Sequence, residues 1–194
     1  MCHRYFIVRQ ICKCTGKLCS NKIVAYKFAK VSDGHNVYNV PYFIGFKTVN
    51  ELKSLGFNSI PKEKGVYAVL HKKLSSPEFL FESIGGHFKG KNPTVPIYEL
   101  KNNWVNNEEI VYIGQAGGKN SKSTLRNRLT LYIKYGSGKP VGHQGGRYIW
   151  QLKDSDDLIF AWKVTQEDPD LVETRMINEF KKKHNKRPFA NLSK

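Results

Sequence analysis

The chain lacks any apolar run approaching the roughly 18 residues that a membrane-spanning helix needs. Its opening residues, MCHRYFIVRQIC, lack the long apolar core and small-residue cleavage site of a secretory signal, so retention in the cytoplasm, with no membrane partner, is expected. Cysteine is absent after residue 19; the four present are Cys2, Cys12, Cys14 and Cys19. Their spacing, with His3 nearby, could assemble a zinc site, but it is not a pair of CxxC knuckles. Free thiols in a reducing compartment are the favoured reading. No internal repeat is present.

Acids are scarce. Sixteen Asp and Glu face 32 Lys and Arg, a net charge of +16. A balance of this size favours a polyanionic partner. The plainer reading is a basic surface that binds nucleic acid only weakly and without specificity. The excess is spread along the chain: residues 1–60 carry nine basic side chains against two acids, and residues 61–194 carry 23 against 14. With 194 residues, 40% of them hydrophobic, the chain can bury one good core, or one core plus a small appendage.

The stretch from Val111 to Tyr135 organises the rest. Ile110–Ile113 is β-branched and aromatic, a strand that should stop at Gly114. A polar loop rich in Gly and Lys follows, including Lys119 and Lys122. A helix should then start with Ser123 or Thr124 as N-cap and end with Gly136 at C′. At about 100° per residue, Leu125, Leu129 and Tyr132 share one face. Arg128 lies on the edge of that face, one turn before Tyr132, and Arg126 points away as the solvated arginine.

Ahead of this stretch, residues 3–10, 22–31 and 38–46 read as extended, the last at an edge or bulge because of Pro41. Thr48 caps a short helix, Val49–Leu55, closed by Gly56. Residues 1–60 thus look like a small basic β-rich module whose aromatic and Lys residues suit either nucleic-acid contact or ordinary packing. Gly65–Leu70 is a strand with Val66, Ala68 and Leu70 on one side and Tyr67 and Val69 on the other. Residues 71–108 form a long insertion rich in Gly, Pro, Lys and Asn, with little periodicity.

Behind it, residues 138–147 gather glycines with Lys139, His143 and Arg147. They suit an approach to phosphate, or simply a flexible turn. Arg147–Leu152 and Leu158–Val164 read as a β-hairpin. Asp168 caps the last helix, with Pro169 at its first position, and the helix should run to about His184.

One residue breaks that helix's pattern. Val172, Met176, Ile177 and Phe180 make its apolar face, and Glu173 falls inside the stripe. Burying a carboxylate costs several kcal/mol unless a cation or donors meet it. Two readings fit: metal binding or catalysis, or a structural ion pair with a buried Arg.

Gly65-Val66-Tyr67, Tyr112-Ile113-Gly114, Leu125-x-x-Arg128, Glu173 and Pro188-x-x-Asn191, in that order and setting, resemble the GIY-YIG nuclease domain over about residues 61–194. The first motif reads GVY rather than GIY. The separation of Tyr67 from Tyr112 far exceeds the family's tight hairpin. The resemblance implies an α+β fold, a small mixed or antiparallel sheet flanked by helices, behind the N-terminal module at 1–60. It also implies metal-dependent hydrolysis of phosphodiester bonds in nucleic acid, most simply double-stranded DNA.

On that resemblance, Glu173 would bind one Mg²⁺ (or Mn²⁺). Arg128 would donate to the non-bridging phosphate oxygens. Tyr67 would be the general base, its pKa lowered by Lys119, Lys122 or Arg128. Tyr112 would bond the water or phosphate, Tyr132 would join the site, and Asn191 would order the phosphate side or the loop. Lys119, Lys122, Arg126, Lys139, His143 and Arg147 would hold the nucleic acid. With no helix-turn-helix or zinc-finger attachment evident, a restriction or defence enzyme is expected, and a homodimer would suit a palindromic site. The other readings are a non-catalytic nucleic-acid-binding protein of the same fold, and a structure-selective repair nuclease or ribonuclease. Apart from the resemblance, ordinary strand-core packing is the favoured reading of Tyr67 and Tyr112.

Overall fold

The computed structural model describes residues 43–72, 76–119, 121–143 and 145–193. The cysteines and the strands expected at residues 3–10 and 22–31 lie outside the described residues, as does most of the segment at 38–46.

The described chain is α+β. Four strands form one sheet in the order β1-β4-β2-β3, with every neighbouring pair antiparallel. They are β1 (Ile44–Thr48), β2 (Gly65–Leu70), β3 (Ile110–Ala116) and β4 (Ile159–Val164). Four helices join them: α1 (Val49–Leu55), α2 (Ile97–Asn103), α3 (Leu125–Gly136) and α4 (Pro169–His184). Among the described residues no helix is long and apolar enough to cross a membrane.

Strand alternation sends the two sides of β2 to two cores. Tyr67 and Val69 pack on one face with Phe160 and Trp162 of β4, Leu125 and Leu129 of α3, and Val49 and Leu52 of α1. Val66 turns to the other face and meets Ile113 of β3 and Val172, Met176 and Ile177 of α4. Residues 43–60 therefore share one sheet and one core with the rest of the described chain. The expected boundary at residue 60 falls inside this unit, because β1 pairs with β4 and Ile60 is fully buried.

Local signals set the helix starts. Thr48 and Glu51 make a reciprocal capping box on α1, satisfying two orphan donors at once. Thr124 accepts from Asn127 N at the start of α3. Asp168 accepts from Asp170 N at the start of α4, where Pro169 takes the first position.

Three expectations need correction. Strand β3 runs on through Gly114 to Ala116, because β2 pairs with it along that whole length. Gly136 is the last residue of α3, not a left-handed C′ residue; a Cβ there would stand 2.4 Å from the Trp150 ring, so close packing excludes a side chain. The expected hairpin does not form. Arg147–Gln151 is a 3-10 turn, and β4 takes β1 and β2 as its partners instead. Tyr148, Ile149, Trp150 and Gln151 are all buried, so tertiary packing on every side supplies what mimics strand-like apolarity.

Residues 71–108 are ordered against this turn where described. Gln151 is the hub. Its carboxamide accepts from Val95 N at 3.0 Å and donates to the carbonyls of Leu80 (3.1 Å) and Val95 (2.9 Å). Phe79 bridges to Leu152 and packs on Trp104 and Phe189. The insertion ends in α2, and β2 and β3 still pair as an antiparallel hairpin across it.

Candidate active site

Three tyrosines converge above the β2–β3 pair. Tyr67 is fully buried and sits opposite Gly114 in the strand register. A Cβ on Gly114 would come within 2.4 Å of the Tyr67 ring, so glycine is what lets that ring lie flat across β3. The Tyr67 ring centroid is 6.0 Å from that of Tyr112 and 6.3 Å from that of Tyr132. Tyr112 and Tyr132 meet edge to face at 5.5 Å, a favourable aromatic geometry. Tyr132 is fixed at its far end, where its hydroxyl donates to the Gly146 carbonyl at 2.7 Å.

Arg128 reaches this cluster from one turn earlier on α3, as the helical periodicity expects. Its guanidinium lies close enough to the Tyr67 phenol to act on it through charge and hydrogen-bonding attraction, and the Tyr112 hydroxyl acts on the same phenol. Its Nε is buried with no hydrogen-bond partner among the described residues. A buried unpartnered N–H on a cation carries a sizeable cost, and an anion's oxygens would remove it.

Glu173 is buried, at 8% exposure, and α4 brings it close enough for its charge to act on both Tyr67 and Tyr112.

Burial dominates the electrostatics. It pushes the Tyr67 phenol above its usual value; the charge and hydrogen bond of Arg128 and the bond from Tyr112 oppose this without prevailing. Tyr112 is raised well above its usual value by burial, then by the charges of Tyr67 and Glu173. Tyr132 is raised well above it too, by burial first. A Tyr67 pKa lowered by cations is therefore not what the free protein has. Of the three cations expected to act on it, Arg128 is the one that stands among the leading causes.

The site also contains His143, expected only as a phosphate-facing loop residue. It is 2% exposed. Its ring stacks on Tyr132 at 3.8 Å, within 6° of parallel. Its Nδ1 lies 3.0 Å from the Gly145 carbonyl and its Nε2 lies 3.5 Å from the Tyr67 hydroxyl. Burial, then the charge of Arg128, lowers its pKa to about 3, so the ring is neutral at ordinary pH. A lone His in a glycine-rich loop gives no periodic signal, and the flanking glycines that let it fold inwards are the one clue in the sequence.

Two more expected residues do other work. Asn191 clamps β3: its Oδ1 accepts from Ile113 N at 3.0 Å and its Nδ2 donates to Ile113 O at 2.8 Å. Both bonds order strand β3. Arg126 is not a free solvated arginine. Its guanidinium donates to the carbonyls of Ile60 and Asn58, both at 2.8 Å, and so ties α3 to the loop before β2. Arg147 lies over the Tyr148 ring, 5.3 Å from its centroid. Lys119, Lys122 and Lys139 are exposed.

Among the described residues no three His, Cys, Asp or Glu gather into a ligand cluster. A zinc-type site does not fit here. Glu173 offers a buried carboxylate whose charge reaches Tyr67 and Tyr112, an oxygen donor. It fits a hard divalent cation that keeps most of its own waters.

No protein-family model, curated protein or solved structure matches the chain.

Proposed function

We propose that the chain is a metal-dependent endonuclease of the GIY-YIG type, hydrolysing phosphodiester bonds in double-stranded DNA in the manner of a restriction or defence enzyme. The observation that carries this reading is the buried, unpartnered Nε of Arg128, whose charge acts on Tyr67, a phenol that the Glu173 charge also reaches. A buried cation with one N–H left over, acting on a hydroxyl that also feels a carboxylate's charge, suits an anionic diester better than it suits a finished core. The net charge of +16 supports a polyanionic substrate.

Arg128 donates to the non-bridging oxygens, where negative charge grows as the attacking oxygen closes on phosphorus. Tyr67 accepts the proton of the attacking water. Tyr112 holds that water or an adjacent phosphate oxygen. Tyr132, pinned at Gly146, supports the Tyr67 and Tyr112 rings and leaves Arg128 its path. Glu173 would hold a Mg²⁺ or Mn²⁺ ion, which when bound polarises the phosphate and stabilises the leaving oxygen.

Plasmid cleavage tests this. Wild type should cut with Mg²⁺ and not with EDTA. Glu173→Ala should bind DNA nearly as wild type does and cut nothing. Cleavage that survives Glu173→Ala would remove Glu173 from the site. DNA binding without cleavage across several divalent metals would favour a binding protein that keeps the fold without turnover.

A further inference from the structure

A buried tyrosine with a raised pKa is a poor source of phenolate. If Tyr67 is to take a proton from water at neutral pH, its own proton needs a destination. The hydrogen-bonding capacities around its oxygen give one. Arg128 can only donate. The Gly145 carbonyl can only accept, so Nδ1 of His143 carries the imidazole hydrogen, and Nε2 of the neutral ring, 3.5 Å from the Tyr67 hydroxyl, can only accept. Tyr67 has a single hydrogen. It goes to His143, and the Tyr112 hydroxyl then donates to Tyr67.

We propose that Nε2 of His143 is the acceptor of the Tyr67 phenol proton, so that Tyr67 relays the proton of the attacking water without ever standing as a free phenolate. This rests on the nuclease reading above. His143 acts through Tyr67 and is a positioning, proton-holding residue rather than one that touches the diester.

The steps balance. A bound diester draws Arg128 onto its own oxygens and frees a lone pair of Tyr67 for the attacking water. As the water oxygen bonds to phosphorus, the P–O bond to the leaving oxygen breaks. The water's proton passes to the Tyr67 oxygen, and the Tyr67 hydrogen passes to Nε2, giving imidazolium. The leaving oxygen takes a proton from solvent. The imidazolium gives its proton back through Tyr67 to solvent, leaving one phosphate monoester and one hydroxyl end.

The groups facing His143 are consistent with this. Tyr132 stacks on its ring and carries no charge. Arg128 is the one charge among the causes of its depressed basicity. Opposing Arg128 with a phosphate removes part of that field when a proton must be taken up. Tyr67 and Tyr112 are neutral phenols, and the Glu173 charge acts on both.

Two measurements on the full chain test the relay. The first is imidazole ¹⁵N NMR of the metal-free protein across the neutral range. The expected result is a protonated Nδ1 and a bare Nε2 that does not titrate. A hydrogen on Nε2, or titration near the ordinary histidine value, would overturn the pairing. The second is single-turnover cleavage against pH with Mg²⁺ for wild type, His143→Asn and His143→Gln. Asn keeps a donor for the Gly145 carbonyl, and Gln places an amide near the Nε2 position; neither takes up a proton.

Both variants should lose about 10²-fold or more in cleavage rate at neutral pH with KM little changed. Their rates should climb about tenfold per pH unit where wild type is flat, as hydroxide replaces the missing acceptor. Variants that fold and cut with the wild-type rate and profile would sink the relay while leaving the nuclease intact. A wild type that cuts nothing would overturn the nuclease reading and the relay's role in attack, with the NMR still deciding whether Tyr67 and His143 are paired as described.

Discussion

The Asn191 carboxamide closes on both backbone groups of Ile113, accepting from its N–H at 3.0 Å and donating to its carbonyl at 2.8 Å. A neighbouring strand would make the same pair of bonds, and β3 is an edge strand that has no such neighbour among the described residues. Ala190 N adds a third bond, to Val111 O at 2.8 Å. Residues 188–191 thus serve as a short cover for the edge, and Tyr112 lies between the two residues they grip. Replacing Asn191 with Ala should leave two buried backbone groups unpaired and cost about 2–4 kcal/mol in stability by denaturant titration. Cleavage should fall because Tyr112 is displaced, and DNA affinity should be nearly unchanged. A loss of DNA affinity with unchanged stability would return Asn191 to the phosphate side.

Gly114 is the tightest constraint on Tyr67. The Cβ of an alanine would sit 2.4 Å from the Tyr67 ring and 2.9 Å from that of Tyr112. Both rings are held by buried neighbours, so neither can yield cheaply. Gly114→Ala should destabilise by about 1–3 kcal/mol through overpacking and should abolish cleavage by moving the Tyr67 hydroxyl off Arg128. Melting temperature and plasmid cleavage read the two effects separately.

How far the sequence can be read depends on where the information lies. Caps and helix periodicity are local, so Thr48, Thr124 and Asp168 are found as caps, and Glu173 shows itself as a carboxylate inside an apolar stripe. Arg128 is legible for the same reason: its position on the wheel puts it beside Tyr132. The 3-10 turn at Arg147–Gln151 is not legible. Its aromatic and branched residues satisfy strand propensity, which measures fit to a half-buried surface and not backbone shape. His143 and Gln151 are set by contacts with residues 76 and 71 positions away, and no local pattern carries such contacts.

Two arginines two positions apart on α3 should behave oppositely. Arg126 gives its guanidinium to the Ile60 and Asn58 carbonyls, so Arg126→Ala should cost about 1–3 kcal/mol in stability by chemical denaturation and leave the cleavage rate of the folded protein close to wild type. Arg128→Lys should change stability little and depress cleavage severely. A lysine cannot keep a bond to Tyr67 while presenting a second, coplanar donor to a phosphate. Equal behaviour of the two variants would mean that Arg128 is only a structural arginine.

The acid limb of stability provides a last test, independent of any substrate. The His143 pKa is lowered to about 3 in the folded chain by burial and by Arg128, against about 6.5 when unfolded. Between these values the unfolded chain binds a proton at this residue and the folded chain does not. Stability must therefore rise with pH across that window, by about 1.4 kcal/mol per unit from this residue. The contribution is fully present above about pH 6.5 and is lost as pH falls towards about 3. His143→Asn removes the titrating group, so its stability should fall less steeply in this window than that of wild type. Denaturant midpoints for the two proteins at several acidic pH values decide the matter. Parallel slopes would show that the ring is open to protons in the folded state. It would then be too exposed to hold a bare Nε2 against the Tyr67 hydroxyl.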